Sequence, residues 1–400
     1  MDKTALIETA CKDLLTCGVW DGKTRLKRGI KKYILRRETT VEDLIFWPAG
    51  LLAQGLWKCR MELRETRKDW KPETGQKAWF VQETAKCREQ GMENSTGQQE
   101  AKRLTDSIEE ALTAYFTRWQ KKGMPLYYLD DLLTGETILA ALEEKWKPEN
   151  GTDSGLPGQE SFVGFTKKQC AAALDKLSSY AQNYPQNETG SFPYRANQKN
   201  GYVFVDGIGL ACPFLYRYGM TFEKQEYMEL AVRQIVNFLA YGMDTATGLP
   251  YHGYDVTDGC KYGIIGWGRA VGWLLRGMTA CVQSEYGRER LMEPYTDLID
   301  TVLAYQRRDG YFAWQLQAMD GPADTSATGM VCAALKQGIE LGILTEDQYR
   351  QALQTGASAI ERAVKDGRVY RCSGECLDFA QYPQRYGAYP WALGPALEVL

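Results

Sequence analysis

Two aspartates stand where a carboxylate could do chemistry. Asp206 falls where an extended apolar approach, Val203-Phe204-Val205, gives way to a helix rich in glycine and alanine, and no neighbour in sequence offsets its charge. Acids embedded between residues such as Phe204 and Ile208 either cap a helix or take part in a reaction. Asp130, in Leu129-Asp130-Asp131-Leu132, opens a second segment of the same kind. Taken singly, Asp206 reads as a helix cap, and Asp130 reads equally as a cap beside an exposed Asp131 or as a reactive acid. Gathered in one cavity they acquire another meaning. Two carboxylates cannot both ionise cheaply in a confined site, so one holds its proton near neutral pH and becomes a general acid. The positive end of a helix opposes this by favouring the charged form.

His252 is the single histidine of the chain, in a loop beside Tyr251 and Tyr254. A neutral imidazole can exchange hydrogen bonds with a sugar hydroxyl, and the two tyrosines would offer stacking faces. Alone, a loop histidine reads as structural. Downstream, Trp267-Gly268-Arg269 and Trp273 set an arginine between two indoles at a helix start. Arg269 could grip a carboxylate with two N–H groups; the plainer alternative is a buried salt bridge at the same rim. Trp314 and the pair Thr325-Ser326 complete the set, each alone reading as packing or a helix cap.

These residues are useful only if something gathers them, and a repeat in the sequence does so. Four times a Thr-Gly or Asp-Gly turn, ending at Gly190, Gly248, Gly310 and Gly367, is followed by an aromatic or apolar stretch and then a helix full of glycine and alanine. Those helices are expected to start near Asp206, Gly268, Ser326 and Gly387. Residues 47–57 and 132–142 have the same small-residue character, which makes six. Between them run amphipathic segments such as 222–241, with Met228, Ala231, Ile235 and Phe238 on one face, and 346–364. Six hairpins of one crowded and one half-exposed helix predict an all-α, single-domain (α/α)6 barrel, an inner ring of parallel helices inside an outer ring. Parallel inner helices bring Asp130, Asp206, Trp267, Arg269 and Thr325 to one mouth. The polar stretches 88–102 and 147–161 read as loops or insertions within this single domain (residues 1–400). Residues 23–37, with eight Lys and Arg, read as a solvated helical face.

Composition narrows the function classes. A net charge of -3 and a pI near 5.6 supply no basic field for nucleic acid. No apolar run is long enough for a membrane span, and the first residues lack the pattern of a secretory leader, so a soluble cytoplasmic protein is expected, acting as a monomer. Eleven cysteines, an odd count spread over the chain, fit reduced thiols better than a disulfide framework. With one histidine, neither a metal site nor another cofactor is expected. Eleven Trp, 24 Tyr and 12 Phe suit a thick core or a cleft that stacks on flat ligand faces.

On three stretches the sequence resembles the unsaturated rhamnogalacturonyl hydrolases of glycoside hydrolase family 105 and, more distantly, the unsaturated glucuronyl hydrolases of family 88. They are Phe204-Val-Asp-Gly-Ile-Gly with Pro213-Phe214, the stretch from Thr247 to Asp255, and Trp267-Gly-Arg-Ala-Val-Gly-Trp273. The likeness runs from about Trp47 to the end of the chain and implies the same ring of six hairpins. It also implies a substrate and a reaction: a short oligosaccharide whose non-reducing uronic acid has a C4=C5 double bond, removed by hydration of that bond. Asp206 then matches the acid/base and Asp130 the second aspartate, with His252, Trp267 and Arg269 at substrate-contacting positions; Trp273, Trp314, Tyr194 and Phe204 are added as candidates around the sugar. The chain departs from the pattern at Pro193 and Tyr194, where tryptophan and histidine are frequent, and at Phe204, where tryptophan is usual. Unsaturated rhamnogalacturonyl hydrolase activity is the expectation, with these departures thinning the stacking and hydrogen bonding around the sugar and leaving room for a shifted oligosaccharide preference.

Rival readings are another enzyme on the same ring, such as an inverting glycosidase or an unsaturated glucuronyl hydrolase, or a non-catalytic sugar-binding protein whose acids are only caps. An epimerase relying on histidine bases is disfavoured by the single histidine.

Overall fold

In the computed structural model, which describes residues 3–17, 30, 44–65, 95–146, 161–196, 201–345, 347–377 and 381–400, the repeat turns have a shared cause. Gly190, Gly248, Gly310 and Gly367 have φ of +79°, +70°, +86° and +67°, in the left-handed region that glycine enters without steric cost.

The helices in chain order are α1 (Lys3–Thr16), α2 (Trp47–Glu65), α3 (Ser95–Lys121), α4 (Gly135–Trp146), α5 (Lys167–Gln182), α6 (Asp206–Thr221), α7 (Gln225–Tyr241), α8 (Gly268–Cys281), α9 (Glu285–Leu303), α10 (Thr325–Glu340), α11 (Asp347–Arg362) and α12 (Pro390–Val399). A 3-10 turn, Leu129–Thr134, runs into α4. The even-numbered helices form the inner ring. Each packs on the next, and α12 closes on α2. The fold is the expected (α/α)6 barrel, and the six small-residue segments are its six inner helices.

Burial follows that division. In α8 every residue but Arg276 is buried, whereas α7 buries one face, through Tyr227, Leu230, Ala231, Ile235 and Phe238 among others. Glycine at the inner seams permits the close approach: a Cβ on Gly55 would lie 2.5 Å from the Gly394 carbonyl oxygen, and one on Gly394 would lie 2.6 Å from that of Leu51. The seam between α6 and α8 is built the same way, with Gly209 against Trp273.

The short strands sit in the loops that precede inner helices. β1 (Val203–Phe204), β2 (Gly253–Asp255) and β3 (Cys260–Tyr262) form one antiparallel sheet in that order. β4 (Val364–Lys365) pairs with β5 (Arg368–Val369), and β6 (Cys372–Ser373) with β7 (Tyr386–Gly387).

One expected loop is part helix. Residues 95–102 begin α3, because Ala101 and Leu104 are buried at helical spacing while Lys102 and Arg103 face solvent. Residues 88–94 and 147–160, and the basic stretch 23–37 apart from Ile30, lie outside the described residues.

Candidate active site

Asp206 is the first residue of α6, and a strand pairing fixes what it meets. β1 pairs with β2 so that Phe204 stands opposite Gly253, and the Val205 N–H donates to the His252 carbonyl at 2.9 Å. Val205 therefore stands beside His252, and Asp206, the residue after it, starts the helix next to the imidazole. His252 Nε2 lies 3.1 Å from Asp206 Oδ2. Asp206 keeps 16% of its side chain exposed, while the histidine is 1% exposed. The acid is thus reachable, and its partner is locked behind it.

The other imidazole nitrogen meets a residue that the sequence reading missed. Tyr382, from the connection between β6 and β7, places its hydroxyl 3.0 Å from His252 Nδ1 and accepts the Ile264 N–H at 3.3 Å. With the amide on that oxygen, the phenol proton can point at Nδ1. In the tautomer where the phenol donates to Nδ1, which Cys376 Sγ also approaches at 3.9 Å, the imidazole proton sits on Nε2 and is donated to Asp206. The His252 ring is walled by Phe204, Trp267 and Tyr382 at centroid distances of 4.7, 4.8 and 5.7 Å. Nothing in local spacing marks Tyr382, since it lies 130 residues from His252 in an irregular segment.

Asp130 and Asp131 part company on the 3-10 turn. Asp131 is fully buried, not exposed as expected, because its Oδ2 accepts the backbone N–H groups of Tyr127 and Tyr128 at 2.7 and 3.1 Å. It is the cap. Asp130, 9% exposed, instead accepts the Tyr194 hydroxyl on Oδ2 at 3.1 Å. The Tyr194 ring lies flat on Phe204, with centroids 4.5 Å apart and planes 7° from parallel. Burial first, then the charges of Asp130 and of Asp206, push the Tyr194 phenol well above its ordinary range. The two acids therefore face one tyrosine.

The remaining candidates divide. Trp267, at the start of α8, packs on His252 and on Tyr382, and half-buried Trp314 meets Tyr382 edge to face at 5.5 Å. Trp273 lies six residues further along α8 at 1% exposure, against Gly209 and Trp47. Arg269 is 2% exposed and spans Trp267 and Trp391 as a cation over their rings. Its N–H groups donate to Ser326 Oγ, Ser373 Oγ and the Ser373 and Gly374 carbonyls, at 3.3, 3.0, 3.4 and 2.9 Å. Both serine hydroxyls donate in turn to Asp324 at 2.6 Å, so Arg269 and Asp324 form a buried charge pair bridged by two serines. That pair ties β6, and the segment that leads to Tyr382, to the starts of α8 and α10. Tyr254 is 1% exposed with its hydroxyl on Ser191, so it presents no stacking face; Tyr251 is half-buried under the Lys261 ammonium. Thr325 and Ser326 stand at the start of α10, where Asp324 is the cap.

The mouth therefore collects a reachable carboxylate, an imidazole hydrogen-bonded to it, a second carboxylate and an aromatic wall. Such a site can pass a proton to a bound ligand and recover one from water. Among the described residues no group of three or more His, Cys, Asp and Glu side chains is placed to hold a metal ion.

Comparison with known proteins gives consistent matches. The model of Glycosyl Hydrolase Family 88 matches residues 161–397. An unsaturated 3S-rhamnoglycuronyl hydrolase of Alteromonas sp. is 31% identical over 254 residues, which are 61% of this chain and 59% of that protein. The unsaturated rhamnogalacturonyl hydrolase YesR of Bacillus subtilis is 23% identical over 223 residues, 54% of this chain and 62% of that protein. In fold, a crystal structure of a possible member of the GH105 family from Klebsiella pneumoniae superimposes with a TM-score of 0.70 at 13% identity, covering 99% of this chain and 91% of that one.

Proposed function

Because the chain belongs to glycosyl hydrolase family 88 and is a glycoside hydrolase, we propose that it removes a 4,5-unsaturated uronic acid from the non-reducing end of short oligosaccharides left by a polysaccharide lyase. The observation that carries this reading is Asp206 at the mouth, partly exposed and backed by an imidazole N–H. Asp206 delivers its proton to C4 of the double bond, and the cation that forms at C5 is shared with the ring oxygen. The His252 N–H lies against the carboxylate as it becomes charged, which favours that change. Water adds at C5 and its proton returns to Asp206. The resulting hemiketal opens to a C5 ketone, and the hemiacetal left at C1 collapses to an aldehyde and releases the shortened sugar. One water is consumed, and the glycosidic carbon is not attacked directly.

In this reading Asp130 orders the sugar beside Asp206. Trp267, Trp314 and Phe204 shape the wall against which it rests, with His252 beneath and Tyr194 behind Phe204, between the two acids. Trp273 supports the wall from the inner ring. Arg269 belongs to the site through the segment it holds in place, and its charge lies close enough to favour the substrate carboxylate. The Alteromonas and Bacillus proteins are named for rhamnoglycuronyl and rhamnogalacturonyl substrates, and we take an uronyl-rhamnose linkage of the rhamnogalacturonan kind as the leading substrate for this chain. No described helix is long and apolar enough to cross a membrane. We read the protein as one domain acting as a monomer in the cytoplasm, with neither cofactor nor nucleic acid.

The test is incubation with lyase-generated disaccharides from pectin and from glycosaminoglycans, following the ultraviolet absorbance of the conjugated double bond. Loss of absorbance on one class names the substrate. Persistence on every class defeats the reading.

A further inference from the structure

The two acids lie on different parts of the ring, and one side chain touches the surroundings of both. Asp130 is on the turn before α4, and Asp206 opens α6. Between them stands Tyr194, in the loop that leads to β1. Its backbone is pinned at both ends: the N–H donates to the Tyr202 carbonyl at 2.9 Å, and the carbonyl accepts the Tyr184 hydroxyl at 3.1 Å. Its ring rests flat on Phe204, which in turn packs on His252, the partner of Asp206. A sugar-stacking tyrosine presents an open face, but one face of Tyr194 is covered by Phe204. Its hydroxyl, moreover, is already spent on Asp130.

We propose that Tyr194 is a positioning residue for the reaction, whose hydroxyl holds the Asp130 carboxylate at a fixed place and whose stacked ring ties that carboxylate to the Phe204–His252–Asp206 wall. This deepens the hydrolase reading and rests on it. A phenol suits the task better than a cation: it donates one directed bond and adds no charge between two acids. Burial and the neighbouring carboxylates keep it protonated, so it remains a donor across the working pH range. Without that bond, Asp130 loses the restraint that aims this oxygen along the arc placing a sugar over Asp206, and misplacement of a reacting group lowers turnover more than affinity.

Tyr194→Phe removes the hydroxyl and leaves the stack. The expected result is a fall in kcat of roughly 10- to 100-fold, the range for losing a bond to a charged group, with KM within about threefold. The decisive measurement is the same substitution in an Asp130→Ala background, where it costs less than about threefold because the acceptor of its bond is already gone. Phe204→Leu, which keeps the hydroxyl but removes the face it lies on, lowers kcat in the same direction, so the conclusion does not hang on one variant. An unchanged kcat with a raised KM for Tyr194→Phe makes the residue a sugar contact and overturns the proposal. Independent, multiplying effects of Tyr194→Phe and Asp130→Ala overturn it as well. If the wild-type protein consumes no unsaturated uronide, the hydrolase reading fails and this inference with it; turnover by the wild type with an unaffected Tyr194→Phe defeats this inference alone.

Discussion

Replacing Asp324 by asparagine tests whether the segment carrying Tyr382 is held in place by a single buried carboxylate. Asp324 is fully buried and accepts four bonds: from the Ser326 N–H at 2.9 Å, the Ser326 hydroxyl at 2.6 Å, the Ser373 N–H at 3.2 Å and the Ser373 hydroxyl at 2.6 Å. Asparagine keeps the volume but turns one oxygen into an NH2 group, which faces donors, and it removes the charge that the serines relay to Arg269. Losing the bond on Oδ2, at about 1.5–3 kcal/mol for a charge-assisted bond, and weakening the charge compensation of a buried guanidinium together cost about 3–5 kcal/mol. An unfolding entropy of about 2.1 cal/mol/K per residue gives this 400-residue chain about 0.8 kcal/mol/K, so the melting temperature should fall by about 4–6 °C. Calorimetry on the variant and the wild type, with turnover measured at 25 °C on the same samples, reads both consequences. Turnover should drop as well, because β6 carries the chain towards Tyr382 and so to His252. A melting point within about 1 °C of wild type, with turnover unchanged, refutes the bridge as the fastening of this segment.

Tyr382→Phe frees His252 Nδ1 to take the proton, so part of the population presents a lone pair to Asp206; kcat should fall roughly tenfold with KM nearly constant, and an unchanged kcat would dismiss the tautomer argument. Gly394→Ala drives a methyl to within 2.6 Å of the Leu51 carbonyl oxygen; the seam between α2 and α12 should lose about 2–3 kcal/mol despite the better helix propensity of alanine, measured as a lower melting temperature, and a rise would mean the inner ring is not tightly closed there. Alkaline pH should weaken the fold. Burial pushes the thiols of Cys59, Cys170 and Cys332 from an ordinary 9.0 up to about 12, so above pH 9 the unfolded chain sheds protons that the folded one keeps. Their contribution is complete below pH 9 and is lost as pH rises towards 12, at about 1.4 kcal/mol per thiol per pH unit; a melting temperature level through pH 10.5 would contradict this.

The fold was legible because its constraints are local. A glycine is required wherever the backbone turns into the left-handed region, and Gly190, Gly248, Gly310 and Gly367 therefore mark the repeat in the sequence itself. Small residues are needed where inner helices touch, so the crowded helices announce themselves too. The site was legible only in part. Asp206 and His252 were found separately, but the pairing of β1 with β2 that joins them is two residues long and leaves no pattern to read. In Leu129-Asp130-Asp131-Leu132 the two acids are equivalent by composition; backbone N–H groups from Tyr127 and Tyr128 decide that Asp131 is the cap. Arg269 announced a cation at a helix start but not the serines and carbonyls that receive it. Tyr382 was missed because an irregular segment has no period, and its meaning comes entirely from what lies across the mouth.

The most direct measurement is to run the reaction in heavy water, stop it at low conversion, and locate the deuterium in the released uronic acid. Proton delivery from Asp206 predicts one deuterium at C4 and loss of the double bond, with both abolished in Asp206→Asn. Release of the sugar with its double bond intact and no deuterium at C4 would mean that the glycosidic bond is attacked directly, and would contradict the account.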